Sequence, residues 1–201
     1  MSNTRSTGTV ALWLIVLCVA GAVLVGAGAA AFTVYSGVYN VAADVPHTKA
    51  VFRLLESVRD RSISVRAAQI VAPDDLSDPK RIASGAGQYA EMCSGCHLAP
   101  GMARTEISRG LYPRAPELRR GSRSTAAEDF WVVKHGIKAT GMPAWGVTHN
   151  DKLLWDVTAF VRKLPQLSAE EYQEIIRAAP KSHDEMMEDI ERGGGHGDHL
   201  H

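Results

Sequence analysis

An all-α fold preceded by a single N-terminal transmembrane helix is what the sequence predicts, on three observations. Val10 to Phe32 contains no charged residue. Downstream, apolar residues recur at helical spacing in successive segments bounded by capping signals. No β-α-β pattern is readable between those segments.

The first segment spans 23 uncharged residues, roughly 35 Å as a helix at about 1.5 Å per residue, which is enough to cross a bilayer. Trp13 at one end and Tyr35 and Tyr39 at the other suit interfacial anchoring. A cleaved signal peptide is the rival reading, and Gly26-Ala27-Gly28-Ala29 would supply small residues for cleavage. Its apolar region is usually only about 7–15 residues long, so an uncleaved anchor over residues 10–34 is expected, with residues 1–9 before it. Cys18 would lie in the bilayer as a small apolar residue.

Residues 35–77 read as a juxtamembrane helical spacer. Asp44 to Ala72 is expected to be helical with a break near Ser62. Val51, Leu54, Leu55 and Val58 form one apolar stripe, while Lys49, Arg53, Arg59, Arg61 and Arg66 dominate the other surface. Two readings stand equal: a helix near anionic headgroups or a partner, or a solvated helix packed on the following domain.

Pro73-Asp74-Asp75 marks a boundary, and Asp78-Pro79 fits an N-cap with proline at the first helical position. That helix runs to about Met92, with Gly85 and Tyr89 on one face, where a glycine lets another helix approach closely. Leu98 to Ser124 has little periodicity and holds six arginines, Arg104, Arg109, Arg114, Arg119, Arg120 and Arg123, so it reads as a loop wrapping a cofactor. Thr125 and Glu128 make a capping box for a helix that Gly136 ends. After Gly141-Met142-Pro143-Ala144-Trp145, a helix capped near Asn150 carries Leu153, Leu154, Val157, Phe160, Val161 and Leu164 on one face and stops at Pro165. Ser168 and Glu171 cap a short helix reaching Ala178, with Tyr172, Ile175, Ile176 and Ala179 on its apolar face.

The first of these helices delivers the chain to Cys93-Ser94-Gly95-Cys96-His97. Cys-x-x-Cys-His is the attachment signature of a covalent c-type haem. Two thiols add across the two vinyl groups, the two-residue gap lets one turn of backbone reach both, and the next residue places an imidazole under the iron. A redox dithiol or half of a zinc site needs only the cysteines. A zinc site wants a second ligand pair, and the sole other cysteine is Cys18, far upstream. A thioredoxin-like dithiol belongs after a strand, and neither alternative requires His97. One haem also suits the composition, since aromatics make up only 6% of 201 residues and a buried porphyrin would supply apolar surface. Covalent attachment of this kind takes place outside the bacterial plasma membrane. The expected topology is therefore single-pass, with a cytoplasmic N-terminus and the haem domain on the periplasmic or outer side.

A histidine-bound haem has a sixth position, for which Met92, Met102, Met142, His135 and His149 are candidates. Met92 and Met102 lie too close to the attachment site to reach the opposite face. Met142 lies 45 residues after His97, with a helix between to carry the chain across, and Gly141 and Pro143 give it a stiff setting. His135 fits a helix C-terminus, and His149 fits the loop before the last helix. Met142 is the expected ligand. A thioether favours ferrous iron and fills the coordination sphere, which argues against oxygen or peroxide chemistry.

Gly85, Tyr89, Cys93, Cys96, His97, the Gly-Met-Pro-Ala-Trp stretch at 141–145 and the helix around Leu154 to Phe160 resemble the monohaem class I cytochromes c. The resemblance covers roughly residues 78–165 and implies the class I cytochrome c fold wrapped around one covalent haem, with residues 78–167 as that domain. It implies that Gly85 and Tyr89 cross the helix around Leu154 and Trp155, and that His97 and Met142 are the axial ligands. It also implies a proline carbonyl orienting His97, a role open to Pro100, Pro113 and Pro116.

Net charge is zero, yet residues 76–167 carry +5 and residues 168–201 carry −6. The acidic, His-rich tail holds His183, His196, His199 and His201, a candidate copper, nickel or zinc site centred on His196, His199 and His201, against the alternative of a solvated tail. The tail could also screen the arginine loop and tune docking to redox partners with acidic surfaces. The expected function is one-electron transfer by a membrane-tethered carrier shuttling between membrane or periplasmic redox proteins, with no substrate chemistry and no nucleic-acid partner. The alternatives are a fixed haem subunit of a membrane oxidoreductase or oxidase complex, and a metal-handling or redox-sensing haem protein.

Overall fold

The computed structural model describes residues 4–179 together with Glu185, Glu188 and Arg192. The tail metal site expected at His196, His199 and His201 lies outside the described residues, as does His183. Among the described residues every regular element is helical. The chain divides into two compact units, the first reaching Val45 and the second beginning at Pro46.

The first unit is a single helix, α1 (Thr4–Ser36). Its stretch Val10–Ser36 has a mean hydropathy of 2.7 and buries none of its side chains, so it is long and apolar enough to cross a membrane. Gly37 follows in the left-handed region at φ 64°, which ends the helix.

The second unit is built on a crossing between α3 (Pro79–Gln88) and α7 (Asp151–Lys163). Asp78 caps α3 by accepting from the Lys80 amide at 2.7 Å, with Pro79 in the first turn. At the crossing the backbones touch: a Cβ on Gly85 would lie 1.9 Å from the Asp156 carbonyl oxygen. One turn further, Tyr89 packs on Phe160 with ring centroids 5.3 Å apart. Gly85 and Tyr89 thus meet α7 at Asp156 and Phe160. Trp155 points instead to α6 (Ala126–His135), stacking on Phe130 at 4.0 Å and 9°. The expected Thr125–Glu128 capping box and a left-handed Gly136 bound α6. Tyr172 of α8 (Ala169–Arg177) is buried in the cluster around Tyr89, Phe160 and Leu164, so the start of the acidic segment belongs to the core.

Asp156 is almost fully buried and ionically paired, to Arg81 at 2.7 Å and Lys152 at 3.2 Å, while Arg81 also reaches Asp75 at 2.8 Å. Asp75 holds the Arg81 guanidinium charged, and Arg81 in turn draws the Asp75 carboxyl below its ordinary range. Arg81→Met is expected to destabilise the domain by about 3–5 kcal/mol, because it leaves a buried carboxylate with one exposed lysine. An unchanged urea midpoint in the haem-loaded protein would contradict this.

Helix α2 (Lys49–Ala67) departs from the sequence reading in two ways. It runs through Ser62 without a break, and Arg66 one turn on donates to the Ser62 hydroxyl (2.8 Å) and carbonyl, a local side-chain tie along the helix. The stripe Val51, Leu54, Leu55 and Val58 also does not supply the packed face. That face lies roughly a third of a turn away at 3.6 residues per turn and carries Phe52, Ile63 and buried Ala67. It packs against α6, and Phe52 meets Tyr112, whose hydroxyl accepts from the His47 amide at 2.9 Å. The long segment Leu98–Ser124 is also more regular than expected, with α5 (Glu106–Gly110), capped by Thr105, and a 3-10 turn at Leu118–Arg120.

Candidate haem-binding site

Helix α3 continues through one π turn, Tyr89–Cys93, into α4 (Ser94–His97). Single π turns recur at functional sites, and this one ends on the first cysteine of the motif. Leu98 then turns the chain sharply in the left-handed region at φ 62°. Such a conformation is costly for a residue with a Cβ, and the buried Tyr89 hydroxyl holds it by donating to the Leu98 carbonyl. Thr105, the cap of α5, donates to the Gly95 carbonyl and so ties the loop to the motif.

His97 Nδ1 lies 2.9 Å from the Pro116 carbonyl oxygen. Pro116 therefore fills the role left open among three prolines. The carbonyl can only accept, so Nδ1 carries the proton and Nε2 keeps the lone pair that could ligate a metal. Burial pushes the His97 pKa down, against the bond to Pro116, which keeps the ring neutral. Pro116 is itself held through its neighbour: Glu117 pairs with Arg104 at 2.8 Å, Arg119 at 3.1 Å and Arg120 at 2.9 Å. Arg119 also donates to the Met102 carbonyl. Three of the six loop arginines thus serve an internal clamp, which reduces the basic surface available for acidic partners.

Hydrogen bonds from Arg119 and Arg104 hold the Glu117 carboxyl below its ordinary range. A depressed carboxylate contributes stability that is complete above its unfolded pKa and is lost as pH falls through the folded one. Amide exchange at Arg120 and Gly121 is expected to accelerate only below the ordinary glutamate range. Glu117→Gln should abolish that acid step and raise exchange at neutral pH. Exchange that accelerates at the ordinary glutamate pKa would contradict it.

Met142 sits on a second loop whose shape is locally determined. Thr140 Oγ1 accepts from the Met142 amide at 3.1 Å and donates to the Ile137 carbonyl at 2.8 Å, and the Ile137 amide donates to the Met142 carbonyl at 3.2 Å. Gly136 does more than cap α6: a Cβ there would lie 2.6 Å from the Met142 carbonyl oxygen and the Pro143 carbonyl carbon.

Cys93, Cys96, His97 and Met142 all line one cleft. Cofactor sites are lined predominantly by apolar side chains. Here Leu111, Pro113, Val132, Ile137 and Trp145 supply the apolar walls. Burial pushes the Cys93 thiol up to about 12, so it is neutral and unlike the activated thiolate of a redox dithiol. Among the described residues no three His, Cys, Asp or Glu side chains are grouped to hold a metal ion. The donor set, the neutral imidazole and the apolar cleft fit a haem.

The other ligand candidates lie elsewhere or already have roles. Met92 lines the same cleft beside the motif, and Met102 packs on the core. His135 is exposed and leans on Trp131, with centroids 4.9 Å apart. His149 is buried, its Nδ1 2.8 Å from the Thr148 hydroxyl. The sequence reading missed Arg59 as a site residue, placing it only on the basic surface of the helix. Its side chain lines the cleft together with Arg114, and only the packing of α2 on α6 reveals this.

Residues 80–161 match the family described as cytochrome c oxidase, cbb3-type, subunit III. No curated protein and no solved structure matches the chain. Around Cys93-x-x-Cys96-His97, residues 80–161 form an all-helical, monohaem class I cytochrome c domain, and an apolar helix of membrane-spanning length precedes it in the chain. The domain carries covalent haem c, and its function is haem-based electron transfer with redox proteins as partners.

Proposed function

We propose that this protein is a membrane-tethered electron carrier that passes single electrons between redox proteins at the outer face of a bacterial plasma membrane. Its parts are an anchor over residues 10–34, a connecting segment over 35–77, the haem domain over 78–167 and an acidic tail from 168. Cys93 and Cys96 would hold the macrocycle, and His97 and Met142 would ligate the iron. The observation that carries the reading is the convergence of these four residues on one apolar cleft. Bound there, haem supplies a one-electron ferric–ferrous couple. The chain's residues keep that couple in place: Pro116 orients His97, while Thr140 and Gly136 shape the loop that presents Met142. With His97 and Met142 both engaged by the iron, the group would serve electron transfer and not substrate chemistry.

The family description favours a second reading, a fixed haem subunit of an oxidase complex. Mild solubilisation of native membranes followed by haem staining after size separation distinguishes the two. A free carrier runs as its own 21.7 kDa chain in a micelle. Stoichiometric co-migration with other haem- or copper-containing subunits would replace the carrier by the subunit. Carbon monoxide binding by the unmodified ferrous protein would overturn both.

A further inference from the structure

We infer that the outward face of α2 is a docking surface for the anionic phospholipid bilayer in which α1 is anchored. The inference rests on the tethered reading above, and its test separates the two. Helix α2 carries two apolar faces. One is covered, carrying half-buried Phe52 and Ile63 and buried Ala67 on a helix that packs on α6. The other is uncovered: Leu54 is 64% exposed, Leu55 50%, Val58 59% and Val65 51%. At 100° per residue these four fall within a stripe about 100° wide, the width of an apolar face that ordinarily seeks a partner.

Three observations select the bilayer as that partner. Arg61 and Arg66 border the stripe on either side, and the helix as a whole carries five basic residues against Glu56 and Asp60. An apolar stripe edged by arginine is the pattern of a helix lying in the headgroup plane with its apolar side buried about 5–10 Å. The acidic residues lie away from the stripe, and Asp60 is paired to Arg59 at 2.8 Å. Finally, only residues 37–48 separate the end of α1 from the start of α2. Fully extended they reach about 40 Å, so α2 is confined near the membrane surface, and the bilayer is the apolar partner always within reach.

The consequence concerns orientation. Another face of α2, about a third of a turn from the lipid stripe, is covered where α2 packs on α6, and Arg59 of α2 lines the haem cleft. Docking of α2 would therefore fix which way the cleft faces along the membrane, instead of leaving the domain to tumble on its tether.

Site-directed spin labelling of the full-length, haem-loaded protein in nanodiscs containing anionic lipid tests this. Single labels replace Leu54, Val58, Val65 and, as a polar-side reference, Ser57, in a Cys18→Ala background. The haem spectrum of each variant reports that the domain is folded. The ratio of accessibility to oxygen over a water-soluble nickel chelate is expected to be several-fold higher at 54, 58 and 65 than at 57. Arg61→Glu with Arg66→Glu, or a purely zwitterionic disc, should return those ratios toward the Ser57 value. Equal ratios at all four positions overturn the inference. So does protection from both quenchers, which marks a protein partner or a second copy. A label on native Cys18 reads the anchor separately. If Cys18 lies in the bilayer while the α2 labels are in water, only the docking inference fails. If Cys18 is also in water, the tethered reading fails.

Discussion

Gly85→Ala is expected to lower the stability of the haem-loaded domain by about 3 kcal/mol or more, the upper end for overpacking, and Gly85→Val to prevent accumulation of folded, haem-loaded protein. The added Cβ would stand 1.9 Å from the Asp156 carbonyl oxygen, 2.4 Å from its carbon and 2.9 Å from the Val157 nitrogen. All three are backbone atoms of a regular helix, so no rotamer change relieves the contact. The helices must part, and parting loosens Tyr89 from Phe160 and Arg81 from buried Asp156. Because α3 leads directly into Cys93, the damage extends to the attachment site. Gly110→Ala is the matched control, since nothing lies within 4 Å of a Cβ there. Denaturant unfolding and haem-loaded yield are the measurements. A Gly85→Ala protein with wild-type stability would show that the two helices do not cross as closely as described.

The two crossing helices were legible because their signals are local and chemically specific. A glycine and an aromatic four residues apart share a helical face, and an unbroken amphipathic run ending at a proline marks a second helix; that the two cross was implied by the resemblance to class I cytochromes c. Local signals also mark Thr125, Ser168 and Asp78, whose capping role follows from their own neighbours. The outward stripe of α2 shows where such reasoning stops. Val51, Leu54, Leu55 and Val58 have stronger periodicity than the packed set, in which Phe52 and Ile63 stand beside Glu56 and Arg59. Periodicity reports that a face is apolar and does not report what covers it.

The site divides along the same line. Cys93, Cys96 and His97 are adjacent in sequence, and their purpose is set by their spacing. The choice of Pro116 over Pro100 and Pro113 depends on a loop path set by the arginine clamp on Glu117. No pairwise spacing in the sequence encodes a carboxylate shared among Arg104, Arg119 and Arg120. Gly136 was readable as a helix stop, while its contact with the Met142 and Pro143 backbone depends on the next turn folding back. Arg59 in the cleft wall needed the docking of a whole helix that sequence reasoning could equally have left in solvent.

Met142→Ala is the second large effect, and it tests the ligand assignment with the fold held nearly constant. Met142 is half-buried, and its loop is held by the Thr140 hydroxyl and by the close contact at Gly136, so removing the thioether should leave the backbone in place. Three changes are expected together. The ferric protein loses the far-red charge-transfer band that marks methionine sulfur on iron. The ferrous protein gains the ability to bind carbon monoxide. The reduction potential falls by on the order of 0.1 V or more, since axial-ligand choice shifts haem potentials over roughly 0.8 V and a thioether stabilises the ferrous state. Met92→Ala and Met102→Ala, which remove the other two methionines near the attachment motif, should change none of the three. Thr140→Val keeps the sulfur but removes the hydroxyl bonded to the Met142 amide. Its band should weaken, and the population binding carbon monoxide should be partial, because the loop then presents Met142 less firmly. A Met142→Ala protein that keeps its far-red band would place another sulfur on the iron, and Met92, already lining the cleft, would be the residue to replace next.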